Sequence, residues 1–232
     1  MTETKKPENH AKFNILRFRI SLRLNDILFP IDIRELTKAL AEAGYIISQP
    51  QLPGVGARVR VTFGGELARK ENVLIDGESE RGVLGVVSKS PEDAFAAFNE
   101  LISILSENFE INVDKRSRFF EILAEIKCAP KKAPVESLGN TFGANQTLKN
   151  IGNILGQNVS LFGFRIVPEG KVPNQEEWMD ITIEPDILRP SSVMNISVIF
   201  RSKRRDVVEK FGVELENRLS KIIDTIENPV LT

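Results

Sequence analysis

The chain has 232 residues, 41% of them hydrophobic, which sets the expectation of one large domain or two small fused ones with enough apolar material for a core. With 31 Lys and Arg against 32 Asp and Glu, the net charge of −1 removes the global footprint of a strongly basic nucleic-acid binder while leaving a local basic face open. One cysteine, Cys128, and one histidine, His10, exclude an intrachain disulfide, a His/Cys zinc site and a histidine-based catalytic triad within one chain.

The opening MTETKKPENH is polar, and residues 1–12 read as a tail. No apolar run approaches the roughly 18 residues that span a bilayer, so no membrane partner is expected and a reducing, cytoplasmic setting follows. Residues 13–24 then alternate, with Leu16, Phe18, Ile20, Leu22 and Leu24 on one face and Arg17, Arg19, Ser21 and Arg23 on the other. That period of two predicts a half-buried strand. Ile33, Leu36, Leu40 and Ala43 recur at helical spacing before Gly44, which predicts a short amphipathic helix. The Pro/Gly loop from Gln49 to Gly56 leads into a predicted strand from Ala57 to Phe63, where Val59, Val61 and Phe63 oppose Arg58, Arg60 and Thr62. Strands are predicted from Val73 to Asp76 and from Val83 to Ser88, joined by a turn from Gly77 to Gly82. Ser90-Pro91-Glu92-Asp93 supplies an N-cap, a proline at the first helical position and acids in the first turn, and opens a helix that runs through Leu105.

The order then repeats. A strand is predicted from Arg118 to Lys127, an irregular connection over residues 129–145, and a short helix from Gln146 to Leu155. Strands follow from Leu161 to Val167, Trp178 to Glu184 and Val193 to Arg201. One last helix spans Arg205 to Ile226, with Val208, Phe211, Leu215, Leu219, Ile222 and Ile226 at helical spacing. The expectation is an α+β fold of two similar β-α-β-β-β-α halves, residues 13–110 and 111–228, with helices on one face of an antiparallel sheet.

Four local patterns in the first half resemble the TATA-box-binding protein family. They are Asn14-Ile15 before the alternating strand, Gln51-Leu52-Pro53-Gly54-Val55 followed by Arg58, the run Val73-Leu74-Ile75, and Val86-Val87-Ser88-Lys89-Ser90 with Glu92-Asp93-Ala94. In the second half Glu121-Ile122, Leu161 to Val167 and Asn195 to Phe200 carry a thinner likeness. The resemblance implies a duplicated saddle. In the family, phenylalanines wedge between base steps, at a cost of a few kcal/mol per unstacked step. Here the wedge positions read Leu52 and Asp76 in the first half, while Glu184 matches Asp76 in the second and Phe162 is the one aromatic near the remaining wedge. The groove-reading asparagines become Asn14 and Glu121. Carboxylates facing a phosphate-lined groove oppose TATA-type binding.

Arg17, Arg19, Arg58 and Arg60, with Arg23, form a candidate phosphate-contacting face, and each contact adds salt-dependent, sequence-independent affinity. The resemblance adds Arg81, Lys89 and Arg165 as basic positions that survive, with Lys203 near the equivalent of Lys89. The alternative is a solvated sheet face on which the arginines pair with the many acids. Gly54, Gly56, Gly64 and Gly65 fit no Walker or dinucleotide pattern and read as turn glycines. Asp76 with Glu78, and Asp180 with Glu184, lack an accompanying base or nucleophile, and Cys128 reads as a small buried residue. No catalytic residue, metal or cofactor is expected. The functional expectation is a non-catalytic, transcription-related module that binds DNA or RNA backbone without TATA-type kinking. The alternative is a protein-interaction or assembly module, pairing with another protein or with itself, that has lost its DNA face.

Overall fold

The structure, a computed structural model, describes residues 11–26, 29–48, 64–143 and 145–229. The chain runs through β1 (Lys12–Leu24), α1 (Ile33–Glu42), β2 (Ile46–Ile47), β3 (Gly64–Lys70), β4 (Val73–Glu78), β5 (Val83–Ser88), α2 (Pro91–Phe109) and α3 (Val113–Arg116). It continues through β6 (Ser117–Ala129), α4 (Pro134–Phe142), α5 (Gln146–Leu155), β7 (Phe164–Ile166), β8 (Trp178–Pro185), β9 (Met194–Ser202), α6 (Arg205–Val213) and α7 (Leu215–Glu227). Among the described residues the strands form one sheet in the order β2-β3-β4-β5-β1-β6-β9-β8-β7, with every neighbouring pair antiparallel. The fold is therefore α+β with an open antiparallel sheet. No described helix is long and apolar enough to cross a membrane.

The alternation of each long strand decides which face meets the helices. Phe18, Ile20 and Leu22 of β1, Leu84 and Val86 of β5, Phe120, Ile122 and Ala124 of β6, and Ile196 and Val198 of β9 are all buried on one face. Helix aromatics settle onto that layer: Phe95 of α2 meets Phe18 edge-on at 5.4 Å, Phe98 meets Phe120 at 6.4 Å, and Phe211 of α6 stacks on Phe200 at 3.9 Å. At Gly212 the backbone comes so near this layer that a Cβ there would collide with the Phe95 ring and stand 2.9 Å from Ile122. The helix start anticipated at Ser90 is present, with Ser90 Oγ accepting from the Asp93 amide at 3.1 Å and Pro91 in the first turn.

Five local expectations are corrected. Leu16 is 40% exposed rather than in the core, because a bulge between Ile15 and Arg17 shifts the pairing with β6 and turns it out. Gly64 and Gly65 open β3, which alternation does not reveal because a second bulge between Glu66 and Ala68 buries Leu67 and Ala68 in succession. The connection over 129–145 contains helix α4, whose Leu138 is buried and whose Thr141 donates to the Ile226 carbonyl of α7. β7 covers only Phe164–Ile166 of the longer run expected there. The last helix divides at Glu214, and its apolar spacing continues across the break unaltered. The strand expected from Ala57 to Phe63, and with it Arg58 and Arg60, lies outside the described residues.

Candidate interaction face

The sheet face opposite the helices is built by the other half of each alternation. Register aligns its side chains into rows that cross the sheet. One row runs Asp76 (β4), Gly85 (β5), Ser21 (β1), Glu121 (β6), Arg201 (β9) and Trp178 (β8). The next holds Leu74, Val87, Arg19, Leu123, Ile199 and Asp180, and a third holds Arg17, Glu125, Ser197, Thr182 and Arg165.

Every arginine in these rows meets a carboxylate. Arg19 grips Asp76 bidentately, Nε to Oδ2 at 2.8 Å and Nη2 to Oδ1 at 2.9 Å, and its Nη1 donates to Ser21 Oγ at 3.0 Å. The two side chains are only 12% and 18% exposed. Gly85 leaves room for this geometry: a Cβ there would stand 2.6 Å from Asp76 Oδ1 and 2.7 Å from Arg19 Nη2, so the pair would have to shift. Arg201 donates from Nε to Glu121 Oε2 at 2.8 Å and lies over the Phe119 ring at 4.3 Å. Arg165 donates from Nε to Asp180 at 2.7 Å, which pushes the arginine's pKa further up from its ordinary value, and Asp180 is 4% exposed. Arg17 sits 3.8 Å from Glu125, both well exposed.

The sequence-derived basic residues are therefore not gathered into one patch. Arg17, Arg19, Arg23 and Arg165 share the open face, Arg23 lying over the Phe119 ring at 5.8 Å. Arg81 lies on the β4–β5 turn, 3.1 Å from Glu78, and Lys89 is exposed at the far end of β5, before α2. Of the carboxylates expected to charge this face negatively, Asp76 and Glu121 are tied to arginines. Glu184 is exposed beside a groove of about 180 Å³ that Leu16, Glu125, Asn195 and Ser197 also line. Sequence reasoning passed over Arg201 and Phe119. Alternation in β9 places Arg201 with Asn195, Ser197 and Ile199 on the face away from Ile196 and Val198, but its pairing with Glu121 depends on inter-strand register.

One end of this face is covered. The connection between β7 and β8, residues 167–177, crosses it: Arg201 Nη1 donates to the carbonyls of Pro173 and Gln175 at 3.0 and 2.9 Å. Glu176 accepts from Arg118 at 2.9 Å and pairs with Lys203 at 2.6 Å, and Glu177 accepts from Ser202 Oγ and the Lys203 amide. Lys203 first, then Arg118, hold the Glu176 pKa below the ordinary glutamate value. Trp178, which follows the connection directly and pairs with Arg201 across β8 and β9, is 5% exposed, and Phe119, over which the Arg201 guanidinium lies, is 8% exposed. Among the described residues no group of three His, Cys, Asp or Glu is placed to hold a metal ion. No protein-family model matches the chain, and no curated protein matches it.

Proposed function

We propose that the chain is a non-catalytic protein-interaction module, a diverged two-half saddle of the TATA-box-binding protein kind whose open sheet face no longer serves a polyanion. Its duplication is supported by the strand order, in which β1 and β6 lie side by side at the centre and each leads outward through its own later strands in descending order. The loss of polyanion binding is carried by a single observation: on the open face Arg19, Arg201, Arg165 and Arg17 each already have a carboxylate partner. A phosphate must displace Asp76 to reach Arg19, and breaking so enclosed a pair leaves the displaced carboxylate short of a partner, a penalty on the order of a few kcal/mol. Fluorescence anisotropy with single- and double-stranded oligonucleotides across a salt series tests this reading. Binding weaker than micromolar at low salt is expected. Micromolar or tighter binding that weakens steeply with salt and is lost in R17A/R19A restores the nucleic-acid reading.

A further inference from the structure

We propose that Arg201, Arg118 and Lys203 form a docking slot for an acidic turn presented by a partner protein, and that residues 167–177 of this chain occupy the slot in cis until the partner displaces them. This rests on the interaction reading above. The occupant shows what the slot accepts. Within residues 167–177 the Gln175 amide donates to the Val172 carbonyl at 3.1 Å, closing a turn that aims the Pro173 and Gln175 carbonyls at one guanidinium nitrogen. Two carboxylates follow the turn. Glu176 bridges Arg118 and Lys203, while Glu177 meets the Ser202 hydroxyl and the Lys203 amide. On the slot side the Arg201 guanidinium is preset, with Glu121 holding one edge and the Phe119 ring lying against its plane.

Two observations mark the occupant as displaceable. Its apolar side chains do not anchor it, since Val167 is 44% and Val172 51% exposed, so the contacts that hold it are polar and ionic. It is also longer than the sheet requires. The preceding antiparallel pair on the opposite side, β3 and β4, is joined by Glu71 and Asn72 alone, whereas the connection between β7 and β8 takes residues 167–177. A turn of two residues closes such a pair, and the added length carries Pro173, Gln175 and Glu176, which meet Arg201, Arg118 and Lys203.

Trp178, the one tryptophan of the chain, is buried, follows this connection directly and pairs with Arg201 across the strands, so its accessibility is the readout for the connection. Acrylamide quenching of Trp178 is measured in the full chain, in E176Q/E177Q, and in the unmodified chain as salt rises from about 0.05 M to about 1 M, where screening shortens to roughly 3 Å. Quenching is expected to rise about twofold in the variant and with salt, as the ionic hold is lost. A tryptophan-free peptide of residues 167–177 is then added, up to the millimolar range set by the effective concentration of a short tether. Protection of Trp178 in the variant by this peptide, and not by the same peptide carrying E176Q/E177Q, is the expected result. The salt series on the unmodified chain keeps the test valid if the variant folds poorly. Unchanged quenching under both salt and substitution overturns the proposal, as does a rise that the acidic peptide does not reverse. Neither outcome touches the interaction reading, which falls only on salt-dependent oligonucleotide binding.

Discussion

At the scale of single residues, two ion pairs, Arg19 with Asp76 and Arg201 with Glu121, hold the enclosed charges of the open face. Gly85 lets Arg19 reach Asp76, so Gly85→Ala forces a Cβ into the pair. Urea denaturation is expected to show a loss of roughly 1–3 kcal/mol, the range of an overpacked site. A change within experimental error shows that the guanidinium has another route to Asp76. The D76N/E121Q/E184Q variant frees Arg19 and Arg201 and removes the exposed Glu184 charge, and its oligonucleotide affinity is expected to exceed that of the unmodified chain at low salt and less so at high salt. If affinity is unmoved, the freed arginines do not reach a polyanion. Cys128 is fully buried at the end of β6, and burial first, with the Glu227 carboxylate second, pushes its pKa up from 9.0 to about 12. Between those values the unfolded chain releases a proton that the folded chain retains, so this group makes stability fall as pH rises through the window. Tyr45, raised by burial and by its bond to Glu100, acts in the same direction. Thermal denaturation between pH 8 and pH 11 is expected to show a falling Tm, and Cys128 is expected to stay inert to a thiol reagent until the chain unfolds.

At the scale of elements, local signals and tertiary demands divide unevenly. Helix α2 carries its own start signal, and Ser90→Ala removes the acceptor for the Asp93 amide, with an expected loss of about 1 kcal/mol in chemical denaturation. Helix α4 has Pro134 in its first turn, but its docking depends on buried Leu138 and on the bond from Thr141 to the Ile226 carbonyl, a partner 85 residues away. The connection between β7 and β8 is held by Glu176 against Lys203 and Arg118, with Glu177 beside them. The lowered pKa of Glu176 makes this hold complete above the ordinary glutamate range and lost as pH falls through the depressed value, so acrylamide quenching of Trp178 is expected to increase only in acid. Quenching that climbs already near neutral pH places the anchor on some other group.

At the scale of the whole molecule, β1 and β6 form the central seam, and the buried cluster on their helix side runs without interruption from Leu36 of α1 to Ile223 of α7. One continuous core favours one cooperative unfolding transition. Ile122 lies in this seam opposite Ile20 and is fully buried, so Ile122→Ala is expected to cost roughly 2–5 kcal/mol while fluorescence and circular dichroism continue to report a single coincident transition. Two resolved transitions would mark the halves as separate folding units.

Much of the fold was legible in the sequence because alternation and helical spacing are local. Alternation placed β1, β5, β6 and β9 nearly at their observed bounds, and the capping pattern at Ser90 located the start of α2. Those same periods put arginines and carboxylates on one face of the sheet. Local pattern is blind where an extra residue breaks the period, as at the bulges beside Leu16 and Leu67, and where a distant partner stabilises the element, as for α4. Pairing lies beyond it as well. Whether Arg19 faces Asp76 or solvent, and whether Arg201 meets Glu121 and the 173 and 175 carbonyls, is decided by inter-strand register and by the path of one connection, both of which join residues far apart in the chain. The sequence by itself determined which residues could share the open face. Only the tertiary structure decided which of their charges cancel, because side-chain ion pairs form over a few ångströms in space regardless of separation along the chain.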